Sequence, residues 1–304
     1  MKRFKNLLVH LDLEGAHDWA ALRYASTVSR LSGSRRIEFV HTGPAASLSP
    51  GFADDSPERV AHWLSQAKAE VGALARRYFR GPRGCQERVN VLGGAGFHDL
   101  LDQLRHADTD LIIVGKHDAN VPFVEKLGRK ALCSVMIVPS GRSVAYRRIL
   151  LSTDFSEHSA RAMEIAVAFA RARKLKRLVC FNGYQIPYGQ HRTGIPREQF
   201  RRETEAWRQA RFTEFRKQTD CGRLATEFVC RESPLVACAI LQEAERQKSD
   251  LLVMGARGMD ALAAVLLGST SAQVVRESPI PTLVVKRTGA GRNFLELLFG
   301  LERS

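Results

Sequence analysis

The feature that most constrains this chain is that it repeats itself. "FKNLLVHLD" at 4–12 returns as "YRRILLSTD" at 146–154, which sets Asp12 and Asp154 142 residues apart. "RRIEFVHT" (35–42) pairs with "KRLVCFNG" (176–183) at an offset of 141, and "DLIIVGK" (110–116) with "DLLVMGA" (250–256) at 140. "SVMIVP" (134–139) pairs with "PTLVVK" (281–286), but at 147. Two halves of the chain must therefore share one fold. The second half carries seven more residues than the first between its fourth and fifth strands.

Between the short β-type runs lie stretches with apolar residues at helical spacing. "DWAALRYASTVSRLSG" predicts a helix with Asp18 as N-cap and Gly33 as terminator, and "EHSARAMEIAVAFARARK" is its partner. Strands alternating with helices imply βαβ units, hence an α/β fold of two repeated, doubly wound parallel five-stranded sheets. Ligands of such sheets sit beyond the carboxyl ends of the strands. The expected domains are 1–140 and 147–287, joined by the linker "GRSVAYRR" (141–148), with a tail at 288–304. At 304 residues the length suits about two domains of roughly 150 each.

Composition removes several classes. The longest apolar runs fall well short of the ~18 residues of a membrane helix. The basic start "MKRFKNLLVHLDLEG" is interrupted by His10 and Asp12 and reads as a strand, not a signal peptide, so the cytoplasm is the expected location. Six cysteines form no CxxC pair and read as buried free thiols. The net charge of +14 is spread evenly: residues 1–150 hold 22 Lys/Arg and 15 Asp/Glu, the remainder 24 and 17, so each half contributes +7. A diffuse positive field favours anionic partners without choosing among them.

The run "GARGMDALAAVLLGSTS" (255–271) follows the fourth strand of the second half. Gly255 closes that strand by this reading, and Gly268-Ser269 open the next helix. A loop running into a helix N-terminus presents free N–H groups to an anion. Glycine there permits positive φ and close approach of phosphate oxygens, and Ser269 adds a hydroxyl. Plain turns remain the alternative. No GxxxxGK[ST] is present, and "GGAG" (93–96) does not extend to GxGxxG, so a P-loop and a dinucleotide fingerprint are excluded.

"MGARGMDALAAVLLGSTS" resembles the G-x2-G-x9-G-[ST] signature of the universal stress proteins, and "LSTDFSEHSARAMEIA" is similar to their first strand and helix. The resemblance covers 147–286 well and 4–139 more weakly. It implies a Rossmann-like, adenine-nucleotide-binding fold and a stress-response regulator. Carried onto this sequence, it assigns Asp154 to the ribose or adenine and Thr153 and Met254 to the nucleoside wall. Gly255, Gly258, Gly268, Ser269 and Thr270 go to the phosphates, which would carry Mg2+. Phe181 takes the adenine-flanking position, where its ring would either stack on the base or crowd it. Without the resemblance, Asp154 also reads as a helix N-cap or a turn acid.

The first half keeps Asp12 and Gly115 but continues "KHDANVPFVEKLGRKALC", with no second glycine at the right distance and Arg129 after Gly128. One ATP per chain, in the second half, is the expectation. His10, Asp12, His41 and His117 lie at or near strand ends that converge in this fold. Two imidazoles and a carboxylate suit zinc. Local hydrogen bonding explains the same residues, and a structural half without a metal is the expectation, with another small ligand left open.

Three functions compete. A nucleotide sensor with little or no turnover fits best. A slow ATPase would need a positioned base and charge-neutralising groups, and only Arg257 and Asp260 lie near the loop. A nucleic-acid binder is suggested by the net charge and by "PREQFRRETEAWRQARFTEFRK" (196–217), where Phe200, Trp207, Phe212 and Phe215 instead mark an amphipathic surface helix. Two Pro/Gly-rich loops, 43–57 and 182–196, read as either functional or surface excursions. Family members commonly pair through the last strand, so 134–138 and 281–285 are expected to pair as an intrachain pseudo-dimer, and a homodimer is open. The apolar face of the tail, Phe294 to Leu301, is expected to pack on protein and not to insert in a membrane.

Overall fold

The computed structural model describes residues 3–43, 57–93, 96–141, 146–258 and 267–286. Asp260, the tail, most of the 43–57 loop, the middle of "GGAG" and the core of the linker lie outside the described residues. The chain divides into two compact units between Val144 and Ala145.

The first unit runs β1 (Asn6–His10), α1 (Ala16–Ser32), β2 (Arg36–Thr42), α2 (Pro57–Tyr78), β3 (Gln86–Leu92), α3 (Phe97–His106), β4 (Leu111–Lys116), α4 (Val121–Lys130) and β5 (Ser134–Pro139). Its strands lie in the order β3-β2-β1-β4-β5, all parallel, with Leu7 opposite both Ile37 and Leu111. The second unit repeats the plan with β6 (Ile149–Ser152), α5 (Glu157–Ala172), β7 (Arg177–Tyr184), α6 (Arg197–Lys217), β8 (Ala225–Glu232), α7 (Val236–Arg246), β9 (Leu251–Gly255), α8 (Ser269–Glu277) and β10 (Thr282–Val285). Its order is β8-β7-β6-β9-β10, again parallel. Strand order therefore reverses between β1 and β4, and between β6 and β9.

The inner strands are apolar on both faces because helices cover both. Leu8, Val9, Ile112 and Ile113 are fully buried in one unit, and Leu150, Leu151, Leu252 and Val253 in the other. Strands β3 and β8 sit at the outer edge of each order and are only partly covered, so their sequences, "QERVNVL" and "ATEFVCRE", carry more charge. The repeat extends to the backbone. Leu13 and Phe155 both turn into the left-handed region (φ 66° and 68°) just after the first strand, and Gly33 and Lys174 (60° and 54°) just after the first helix. Asp108 and Lys248 (46° and 50°) do so before the fourth strand.

The seven-residue difference falls before the helix, not within it. In the first unit β4 passes through one 3-10 turn, Asp118–Asn120, directly into α4, whereas β9 ends at Gly255 and α8 begins only at Ser269. Gly128 accordingly lies buried inside α4 and is no counterpart of Gly268.

Three expectations need correction. Asp18 is not the N-cap of α1. Gly15 holds that position, and Asp18 sits in the first turn, buried, accepting hydrogen bonds from the backbone N–H of Leu13 at 2.9 Å and Asp12 at 3.3 Å. Helix α6 buries Phe212 and Phe215, and Phe212 stacks on Phe228 at 4.4 Å, but Trp207 faces solvent beside Arg208 and Arg211. The 182–196 loop is shorter than it reads, since β7 continues to Tyr184 and a 3-10 turn forms at Gln190–Thr193. No helix among the described residues is long and apolar enough to cross a membrane.

Candidate functional site

In each unit the strand order reverses between the first and fourth strands, and the carboxyl ends of the strands at such a reversal are the place where ligands bind in doubly wound sheets. In the second unit the chain leaves β6 through Thr153 and Asp154, turns at Phe155, and enters α5 with Ser156 as N-cap. The Ser156 side chain accepts from the backbone N–H of Ser159 and caps the helix. Asp154 Oδ1 is saturated: it accepts from Ser156 N–H (3.1 Å), Ser156 Oγ (2.6 Å) and Ser159 Oγ. The other carboxylate oxygen faces Gly258, where a Cβ would stand 2.8 Å from Oδ2. Fold and sequence thus bring Asp154 and Gly258 together although 104 residues separate them.

None of Gly255, Gly258 and Gly268 has a positive φ, so conformational freedom is not why they are glycine. Close approach is. A Cβ on Gly255 would lie 2.9 Å from the His158 carbonyl carbon and 3.1 Å from Ser159 N, because the first turn of α5 rests on it. Gly268 N–H donates to Ala256 O at 2.8 Å and lays the start of α8 across residues 256–258. Ser271 Oγ donates to Gly255 O at 3.0 Å and ties the same helix to the strand end. Ser269 is exposed at the first position of α8, and Thr270 is half-buried beside it.

Thr153, Phe181 and Met254 are buried around this point. Thr153 N–H donates to Phe181 O at 2.8 Å, and Thr153 O accepts from Asn182 Nδ2 at 2.7 Å. Phe181 has no exposed surface, so its ring offers no free face at these strand ends. Asn182 Oδ1 also accepts from Arg208 at 2.6 Å. The remaining arginines at the start of α6 are engaged by acids: Arg201 with Glu198 and Glu205, Arg202 with Glu198, and Arg197 with Glu232. His158 is pulled below its ordinary pKa by burial, with Arg257 and Arg161 adding to the effect.

The same place in the first unit is built differently. Gly115 again lacks a Cβ because the helix rests on it, with His17 O at 2.8 Å. Asp12 Oδ1, however, meets His17 Nε2, and Asp12 Oδ2 meets His117 Nε2 at 3.1 Å and Asn120 Nδ2 at 3.2 Å. Burial raises the Asp12 pKa, but hydrogen bonds from His17, the Glu14 N–H and His117 outweigh it and hold the carboxyl well below the usual range. Burial pushes Asp18, against His17, up to about 7. Where α8 opens with Gly268-Ser269, α4 opens with Asn120 and Pro122, so one backbone donor is missing and Asn120 is committed to Asp12.

Of the four residues grouped from the sequence, only Asp12 and His117 meet. His10 Nε2 pairs with Thr42 Oγ1 at 2.9 Å, and His41 Nδ1 with Leu11 O at 2.8 Å. Burial pulls His10 down to about 4. His17 was missed because it lies on a helix and not at a strand end. Its place in the repeat, 141 residues before His158, could have flagged it.

The fold and its repeat define a tandem, doubly wound α/β protein. A family model described as "Universal stress protein family" matches residues 145–286. A universal stress protein of Thermus aquaticus is 36% identical over 146 residues, 46% of this chain and 99% of that one. Another, of Methanocaldococcus jannaschii, is 44% identical over 48 residues, 16% of this chain and 28% of that one. The crystal structure of a universal stress protein from Archaeoglobus fulgidus shares the fold at a TM-score of 0.60 and 17% identity, covering 94% of this chain and 97% of that chain. The chain belongs to the universal stress protein family.

Proposed function

We propose that the second unit binds one adenine nucleotide, ATP with Mg2+ carried on its phosphates, and that the protein acts as a cytoplasmic stress-response regulator with little or no turnover. The observation that supports this most is the juxtaposition of Asp154, Gly258 and the Gly268-Ser269 start of α8 at the strand-order reversal. Asp154 Oδ1 is held by Ser156 and Ser159, which fixes the carboxylate beside Gly258, where it meets the nucleoside end of the nucleotide. The N-terminal turn of α8 and the Ser269 hydroxyl supply donors and a favourable dipole for phosphates. Thr153 and Met254 form the nucleoside wall, and Phe181 backs it from within the core.

The glycines divide in this reading. Gly255 is required by helix packing, as Gly115 is. Gly258 and Gly268 are the positions where a ligand approaches the backbone.

Calorimetry with MgATP on the full chain tests the reading. One site per chain, with no phosphate released over hours, is expected. A stoichiometry near two, or no binding, overturns it. Phosphate release above background turns the regulator into a slow ATPase.

A further inference from the structure

We propose that Asp12, His17 and His117 bind a divalent transition-metal cation, with zinc(II) the best match. One ligand atom from each lies within 4.8 Å of the other two, and no other such group occurs among the described residues. Two imidazoles and one carboxylate are a three-ligand set for zinc, with a fourth position left to water. Tetrahedral ligation at ~2.0–2.1 Å spaces donor atoms about 3.3 Å apart. The His117 Nε2–Asp12 Oδ2 pair, at 3.1 Å, is already at that spacing. The closer His17–Asp12 pair has to open by less than an atomic diameter.

The donors are held in place from three elements. His17 is on the first turn of α1, wedged against Gly115. His117 follows β4 and stacks on His17, with ring centroids 4.2 Å apart. Asp12 is braced by the Glu14 N–H at 3.0 Å and by Asn120 Nδ2. Side-chain exposures of 20% for Asp12 and 21% for His117 give solvent a route to the ions' side of the cluster, while His17 at 5% is its floor.

Charge points the same way. Two further carboxylates face the imidazoles, Asp18 Oδ1 at 3.8 Å from His17 Nε2 and Glu14 Oε2 at 3.9 Å from His117 Nε2. Three acids thus converge on two stacked histidines in a chain whose net charge is +14. One dication satisfies both Nε2 atoms and offsets the acids. Imidazole and carboxylate ligands suit zinc better than magnesium or calcium, which prefer oxygen alone. Among the described residues, the second unit shows no such cluster at the equivalent place, where serines bond Asp154.

The test is titration of chelator-stripped, full-length protein with ZnCl2 in excess MgCl2, followed by calorimetry. One zinc per chain is expected. His117→Ala and Asp12→Asn should each weaken it at least about a hundredfold, more than the loss of an outer-shell partner. His10→Gln should leave it unchanged. An unaltered circular dichroism spectrum and unaltered hydrogen exchange along β1 and β4 report that each variant is folded. Cobalt(II) in place of zinc should give visible bands without near-ultraviolet thiolate absorption, which separates this site from the six cysteines. Absence of zinc binding, binding indifferent to His117→Ala and Asp12→Asn, or thiolate bands would overturn the proposal. Gly268→Val, which addresses the nucleotide reading alone, should not affect zinc.

Discussion

The two halves have the same kind of sheet, the same strand order and even the same positions at which the backbone turns left-handed, yet the strand ends where that order reverses differ in chemistry. Both keep the glycine that ends the fourth strand, Gly115 and Gly255, because both rest the first turn of a helix on it. Only the second half keeps the glycines that no helix packing demands. A feature present in both halves is explained by the fold they share, and a feature present in one must be explained by what that half does. By this logic Gly258, Gly268 and Ser269 fall to the proposed nucleotide site, and His17 with His117 to the proposed metal site.

The largest effect should separate the halves by ligand. Gly268 has ordinary extended angles, and its Cβ position has no neighbour closer than 3.7 Å, so Gly268→Val should fold normally. The branched side chain would nevertheless stand where phosphate oxygens approach. Losing one or two charge-assisted hydrogen bonds at roughly 1.5–3 kcal/mol each predicts a loss of ATP affinity of about tenfold to about twenty-thousandfold. Asp12→Ala should leave ATP affinity unchanged. Calorimetry on the two variants decides it, and ATP binding lost with Asp12 would make the first half an adenine site.

The next effect should unite them. Gly115→Ala and Gly255→Ala both force a Cβ against helix backbone at 2.8–2.9 Å. Each should destabilise its own unit by about 1–3 kcal/mol, the usual cost of overpacking. Hydrogen exchange should rise along α1 and β4 in the first variant and along α5 and β9 in the second. If Gly255→Ala removed ATP binding with no change in exchange, that glycine would be a ligand residue after all.

Asp154→Ala should cost less than Gly268→Val, on the order of tenfold in ATP affinity, since one neutral-donor contact to the nucleoside is lost. A competition series with adenosine, which lacks phosphates, should show the same factor. Equal affinity of variant and wild type for adenosine would remove Asp154 from the site.

The smallest effect concerns a pair away from these strand ends. Asp110 accepts from the backbone N–H groups of Lys5 and Asn6, as Asp250 does from those of Arg147 and Arg148. Burial pushes Asp110 up to about 6, against the pull of its amide donors. A carboxyl with a raised folded-state pKa binds protons more tightly when folded. Its contribution is therefore complete below about pH 4 and is lost as pH rises through about 6. The first unit should melt at a lower temperature at pH 7 than at pH 5 by this contribution, and Asp110→Asn should flatten that dependence. A melting profile identical in wild type and Asp110→Asn would remove Asp110 as the cause.

The repeat, the strand positions and the place of the glycine loop could all be read from the chain, because apolar periodicity and a duplicated pattern are local signals. The close of β9 at Gly255 and the start of α8 at Ser269 were legible for the same reason. What could not be read was why each glycine is there. Sequence suggested positive φ and close approach of phosphate oxygens, whereas the packing of α5 on Gly255 and the approach of Asp154 to Gly258 supply reasons of their own for those two. Nor could Asp18 be seen as a buried acid, because its place in the first turn depends on how the chain leaves β1.

The sequence by itself determined two α/β repeats, the extra seven residues of the second, and Asp154 and the G-x2-G-x9-G-S loop as its candidate site. Only the tertiary structure decided which histidines meet. Strand-end reasoning joined His10 and His41 to Asp12, but the left-handed turn at Leu13 ends the alternation of side chains beyond β1. His10 then pairs with Thr42, and Asp12 swings to a helix residue and a residue 105 positions away. Such a meeting depends on the packing of α1 onto Gly115 in three dimensions, which no local pattern encodes.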